Sequence, residues 1–465
     1  PDVLLTAQAL PGVESIDESV SNINIRGGTN DQNLLLWDGI KMYNSGHFFG
    51  LISAFNPFIT EKVTVIKNGT SAAYTDGVSG TIDIQSYNNV GDGFFGGIGF
   101  NLISADGYTH IPMSKKIAVQ FSARRSITDY LQTPTYSQYF DRAFQDSKVS
   151  TQQDGTLDQD IERDEDFYFY DATFKILYDV SPNHKARISA LYANNLLDYT
   201  ETLASGSASE TKNSGVEQFN IGVGGTLESI WSGKLKTHLS GYYTRYKLDA
   251  ENRDLFTDQQ LLQANEVLET GLKAMADYQL STRVNWLNGY QFYEVGITNI
   301  QDVNDPFFFS RIKGVVRNHA IFSEVKYSSS NGNLFLKAGG RLNYIERFNK
   351  FILEPRLSLS QKLGGYFAIE VLGEMKNQVA NQIIDLQRDF LGVEKRRWIL
   401  ANNKDIPVTT SRQASLGLNF NRTDFYIGIE GFYKEVDGIT TSNQGFQNQG
   451  QFQRVTGSYA VKGVE

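Results

Sequence analysis

From about residue 94 to the end of the chain, apolar and polar residues alternate with a period of two, and this limits the fold more than any other feature. Tyr168, Tyr170, Ala172, Phe174, Ile176 and Tyr178 fall on one side, with Asp171, Thr173, Lys175 and Asp179 opposite them. Phe425, Ile427, Ile429 and Tyr433 likewise oppose Tyr426, Glu430 and Lys434. Ala414, Leu416, Leu418 and Phe420 follow the same rule, as do Phe367, Ile369 and Val371 against Glu370 and Glu374. A period of two places successive side chains on opposite faces of a β-strand, so these strands separate two different solvents. Only 9 of 465 residues are proline, which suits long hydrogen-bonded ladders because each proline removes a backbone donor.

The connections between strands sharpen the reading. Tight turns at Ser181–His184, Trp231–Lys234, Lys362–Gly365 and Asn421–Asp424 alternate with longer polar stretches near 130–166, 198–215, 249–268, 301–316, 378–410 and 437–453, read as loops. Short turns at one end and long loops at the other are the habit of an outer-membrane barrel. The pattern predicts an all-β transmembrane barrel with about 15–16 antiparallel strands, the least certain pair being 96–104 and 107–113. Tyr168, Phe174, Phe425 and Ile427 would belong to its lipid-facing belt. No apolar run is long enough for a membrane-spanning helix.

Composition removes other classes. At 40% hydrophobic and 20% charged the chain is too ordinary for disorder, and a net charge of −9 argues against nucleic-acid binding. With no cysteine, disulfides, thiolate metal sites and cysteine nucleophiles are impossible. The five histidines (47, 110, 184, 238, 319) show no ligand spacing, so no metal is expected. The run Asp158, Asp160, Glu162, Asp164, Glu165 and Asp166 lacks the spacing of a calcium loop and reads as a solvated loop edge. No Gly-x-Ser-x-Gly elbow or Ser/His/Asp set stands out, and if the fold is a membrane barrel neither an enzyme nor a cofactor is expected.

Residues 1 to about 90 have a different texture, with short strands, turns and room for a brief helix, as in a small α+β domain. Leu10–Pro11–Gly12–Val13, Ile23–Asn24–Ile25–Arg26–Gly27–Gly28, Leu35–Leu36–Trp37–Asp38–Gly39–Ile40, Ile59–Gly69 and Ala73–Ile84 follow one another here. In this order, ahead of a barrel-like tail, they resemble the plug domain of TonB-dependent outer-membrane transporters. The stretch from Gln32 to Asn56 is similar to the version common in Bacteroidetes. The resemblance implies a small α+β plug inside a barrel of about 22 strands. It divides the chain into a plug over 1–90 and a barrel over 91–465, with plug residues expected to be missing before the start and strands after the end.

The resemblance also implies a function. TonB and its inner-membrane energising complex would drive import of a scarce ligand across the Gram-negative outer membrane by displacing the plug. The plug would face the periplasm and the long loops the exterior. The ligand is expected to be a ferric siderophore or similar small chelate. A glycan or peptide importer with a surface lipoprotein lid, or a signalling or adhesion barrel, is the alternative. Outer-membrane lipids complete the expected partners. In the family two plug segments face outward, which points to Thr29, Asn30, Asp31 and Gln32, and to Tyr43, Asn44, His47, Phe48 and Phe49, as ligand contacts. Aromatic faces beside amide and imidazole donors suit a catecholate, a sugar or a peptide. Alternatively the phenylalanines pack the plug core and His47 caps a turn. Arg26 is expected to latch the plug to acidic wall residues such as Glu370, Glu374 and Glu430, or else to bond backbone carbonyls within the plug.

Overall fold

The computed structural model describes residues 2–15, 19–47, 50–91, 93–143, 161–205, 208–253, 259–384, 396–402, 404–423, 425–442 and 454–465. Sixteen antiparallel strands form one continuous sheet running from Phe95–Phe100 to Arg454–Val464, each paired with its neighbour in the chain. At one place the order skips. Phe367–Gln378 pairs with Thr409–Arg422, while the intervening short strands Ala380–Ile384 and Arg396–Leu400 pair only with each other.

The alternation in the sequence becomes an inside and an outside. On Ile161–Ser181 the side chains of Asp171, Thr173 and Lys175 are buried, while Phe174 and Tyr178 are exposed on the outer face. On Phe425–Ser442, Phe425, Ile427 and Ile429 are exposed and Lys434 is buried. A polar interior with an apolar exterior inverts the soluble pattern and is that of a transmembrane barrel. Among the described residues no helix is long and apolar enough to cross a membrane.

The strands are longer than the alternation suggested. Seven consecutive ones, from Ile161–Ser181 to Phe308–Ser328, have 19 to 23 residues each, against the roughly 9–11 a tilted strand needs to cross a bilayer. The stretch 198–215, expected to be loop, continues the ladder from Asp198↔Gly215 to Ser205↔Ala208. Much of 249–268 and 301–316 is strand as well. Beyond the bilayer both faces meet water, so alternation fades although backbone pairing does not. Within 130–166 the chain forms a helix at Pro134–Ala143, with Tyr136 and Phe140 turned into the buried core. Asp158 and Asp160 lie outside the described residues.

Inside the sheet sits the small N-terminal fold. Its mixed sheet has the order Ile40–Lys41, Leu34–Trp37, Thr81–Ser86, Thr60–Ile66, with Leu34–Trp37 parallel to Thr81–Ser86. The helix Val3–Ala7 starts where Asp2 accepts from Leu4 N at 2.9 Å. Val3, Leu4, Ile23, Ile25, Trp37, Phe55, Ile82 and Ile84 make its core. Asp38 and Gly39 turn the chain with φ of 48° and 80°. The turn carboxylate of Asp38 then takes Ser86 N at 2.8 Å and Ser189 Oγ on the wall at 2.9 Å.

Candidate ligand site and plug seat

The first segment expected to face outward contains a single turn of 3-10 helix, Asn30–Gln32. Thr29 is exposed and donates to Asp31 Oδ1 at 2.6 Å, and Asn30 Oδ1 accepts from Ile23 N at 3.2 Å. Asp31 faces the inward hairpin. Its Oδ2 accepts from Gln382 N at 2.8 Å and its carbonyl from Gln378 Nε2 at 2.6 Å, and burial raises its carboxyl pKa. Gln32 is buried, its Oε1 accepting from Tyr459 Oη at 2.5 Å.

The second segment turns sideways into the wall. Tyr43 is buried, its ring edge-on to Trp398 at 4.9 Å and its hydroxyl bonded to Glu269. Asn44 caps Gly46 locally and offers its carbonyl to Asn220 Nδ2 at 3.1 Å. His47 has no exposed surface. Nε2 lies 3.0 Å from Asp171 Oδ2, Nδ1 lies 2.8 Å from Asn195 Oδ1, and the ring stacks on Phe169 at 4.3 Å. Arg124 reaches Asp171 at 2.7 Å and the plug carbonyl of Ser53 at 2.6 Å, closing the cluster. Burial lowers the pKa of His47, opposed by Asp171. Phe48 and Phe49 lie outside the described residues.

Arg26 meets the wall through two carboxylates, Glu430 at 2.7 Å and Glu465 at 2.9 Å, with the Phe432 ring 4.6 Å beneath it. Glu370, expected as a partner, is not one of its ion pairs among the described residues. Glu465 takes that place and also pairs with Lys67. Glu374 bonds the plug backbone at Thr70 N, 2.7 Å away.

Several contacts had no counterpart in the sequence reading. Lys41 pairs with Asp76 and with Glu269, which also takes Tyr242 and Tyr43. Burial alone would depress the Lys41 ammonium, but the two carboxylates hold its pKa above the usual lysine range. Glu324 accepts from Ala72 N at 2.9 Å and Glu354 from Thr75 Oγ1 at 3.3 Å. Lys434 donates to Ile25 O at 2.8 Å. The available signal was a lone charge on the lumen face of an otherwise regular strand, which marks the wall residue but not its partner.

Between the plug and the wall lies a cavity of about 730 Å³. Lys41, Asp76, Tyr242 and Glu269 line it, and it extends to Glu228 and His238 beside the tight turn at 231–234. Among the described residues no three His, Asp or Glu side chains converge as a metal site would require.

Residues 3–82 match the family model of the TonB-dependent Receptor Plug Domain. None of the curated proteins matches the chain. Solved structures with the same fold include the siderophore receptor PirA of Pseudomonas aeruginosa, at 14% identity and a TM-score of 0.64, covering 100% of this chain and 78% of that one. The ferric enterobactin receptor PfeA of the same organism, in a mutant form, aligns at 13% identity and a TM-score of 0.67, covering 100% of this chain and 74% of that one. The FrpB iron transporter of Neisseria meningitidis aligns at 13% and 0.66, with 100% and 74% covered. The N-terminal fold is thus a TonB-dependent receptor plug, and the chain has the plug-and-barrel fold of TonB-dependent outer-membrane receptors.

Proposed function

We propose that the protein imports a scarce ligand across the outer membrane, powered by TonB, with a ferric siderophore or similar small chelate as cargo. Residues 1–90 act as the moving plug and 91–465 as the wall. The observation that carries this reading is the seat itself. The plug is fastened to the wall by separate polar contacts, Lys41–Glu269, His47–Asp171, Arg26–Glu430 and Thr70–Glu374, around a cavity. Polar contacts can be exchanged for water one by one, whereas a continuous apolar interface cannot. The similarly folded PirA is named as a siderophore receptor and PfeA as a ferric enterobactin receptor, which supports the cargo class.

The test is uptake of iron-55 supplied as ferric enterobactin by cells lacking their own receptors and carrying the full-length protein. Uptake that disappears when TonB is deleted supports the reading. Uptake that persists without TonB would remove the energised mechanism, and absence of uptake with catecholate, hydroxamate and carboxylate chelates alike would remove the cargo class. Co-purification of a surface lipoprotein would move the reading towards a glycan or peptide.

A further inference from the structure

We propose that the inner wall binds a small oxyanion of the hydrogen phosphate type, held by Arg341, Asn343 and Tyr293 beside the cavity between plug and wall. Such a site would be present whichever ligand the protein imports.

A row of opposed residues crosses four strands of the wall, Lys273↔Gln291, Gln291↔Ala320 and Ala320↔Asn343. Tyr293 and Asn318, opposed to each other, stand two residues along on one side of this row. Arg341 stands two residues along on the other side. Side chains opposed across a ladder lie about 5 Å apart at Cβ. Ala320, in the middle of the row, carries only a methyl group. Asn318, Arg341 and Asn343 have no exposed surface, and Tyr293 is 1% exposed. Lys273, Gln291 and Tyr293 also line the cavity, which gives a small solute a way in.

The hydrogen bonds within this cluster stop short. Asn343 Oδ1 accepts from Arg341 Nε at 2.9 Å and from Asn318 Nδ2 at 3.1 Å. Two donors on one oxygen fix the orientation of the amide, so Asn343 Nδ2 points the other way. That nitrogen, both terminal nitrogens of Arg341 and the Tyr293 hydroxyl have no partner, and neither do the side-chain carbonyls of Asn318 and Gln291. Buried donors left unmet are costly, most of all on a charged group. The Phe322 ring, 5.5 Å from Arg341, offers a face but no acceptor. The neighbouring carboxylates are engaged elsewhere. Glu354, opposed to Arg341, takes Arg356 at 2.8 Å and Asn377 N at 2.7 Å. Asp76 and Glu269 pair with Lys41, and Asp83 accepts from Gln85 at 3.0 Å. Lys273 donates to a plug carbonyl, Ala73 O, at 3.1 Å. A guanidinium presents its two terminal nitrogens as a fork that matches an oxyanion. The two unmet carbonyls call for a hydroxyl donor as well, which hydrogen phosphate carries and sulfate does not.

The test is equilibrium dialysis of the full-length protein in detergent against radiolabelled phosphate at constant ionic strength. Saturable binding of a single phosphate per chain is expected, displaced by arsenate far more readily than by sulfate. Absence of saturable binding, or equal displacement by sulfate, overturns the proposal. Arg341→Gln should lose the binding, and a variant that binds phosphate as the parent does would place the anion elsewhere and overturn the site. Asn343→Asp guards against a merely misfolded variant, because it sets a carboxylate beside the Arg341 fork. It should lose phosphate binding while melting at or above the temperature of the parent, and undiminished binding in this variant overturns the site as well. Crystals grown with arsenate should show an anomalous peak within hydrogen-bond reach of Arg341 and Tyr293. Ordered water alone at that position would end the proposal.

Discussion

Arg26 is held at a φ of 48°, a left-handed conformation unusual outside glycine, and there its guanidinium spans Glu430 and Glu465. Replacing it with Ala removes two charge-assisted bonds, worth about 2 kcal/mol in plug seating. The partly exposed Glu430 makes the effect smaller than at a sealed site. Arg26→Glu should do more and raise ion conductance in planar bilayers, whereas conductance equal to that of the parent would show that Arg26 does not hold the plug. His47 gives a pH dependence. Its pKa is lowered in the seated plug, so the released form binds protons more readily. Seating free energy contributed here is therefore intact above about pH 6.5, the ordinary histidine value, and declines as pH falls through and below it. Conductance should rise on acidification in the parent and show a weaker rise in His47→Gln. The same slope in both would assign the pH effect elsewhere.

Among the elements, the wall strand Ala208–Ile230 carries a notch that fits the plug. A Cβ on Gly222 or Gly224 would come within 2.9 and 2.7 Å of Ile40, which is fully buried. Gly224→Val should unseat the plug while the barrel still assembles, read as higher conductance with unchanged heat-modifiable migration. Adding Ile40→Ala should restore the closed state, and a double variant as leaky as the single one would rule out this fit. The glycines were visible in the sequence, but their purpose was not, because the knob they receive lies far away in the chain. The same separation hid the ion pairs. His47 and Asp171, or Lys41 and Glu269, are individually conspicuous and become partners only when the plug enters the barrel. The strands, by contrast, were legible because lipid and lumen impose alternation on each one locally. Where they rise beyond the bilayer that local constraint stops, and 198–215 looked like loop. The strand pair Ala380–Ile384 and Arg396–Leu400 was lost among polar neighbours in 378–410, although the run Trp398–Ile399–Leu400 was an apolar signal within it.

For the molecule as a whole, the plug's attachments are spread around the wall instead of gathered at one patch. Strand Ile161–Ser181 holds His47, Gln260–Gln279 holds Lys41, Phe308–Ser328 holds Ala72, Phe367–Gln378 holds Thr70, and Phe425–Ser442 holds Ile25. A tug applied at one point of the plug therefore loads these fastenings in turn, as tape peels from a surface, and never all together. On the proposed mechanism the force needed would be set by the strongest single fastening and not by all of them at once. Pulled from its N-terminal side in a force spectrometer, the plug should leave in a train of small rips, and one tall rupture would contradict this arrangement. A seal that resists pressure over its whole area yet yields to a thin, steady pull at its margin is what a weak motor needs if it is to open a tight door.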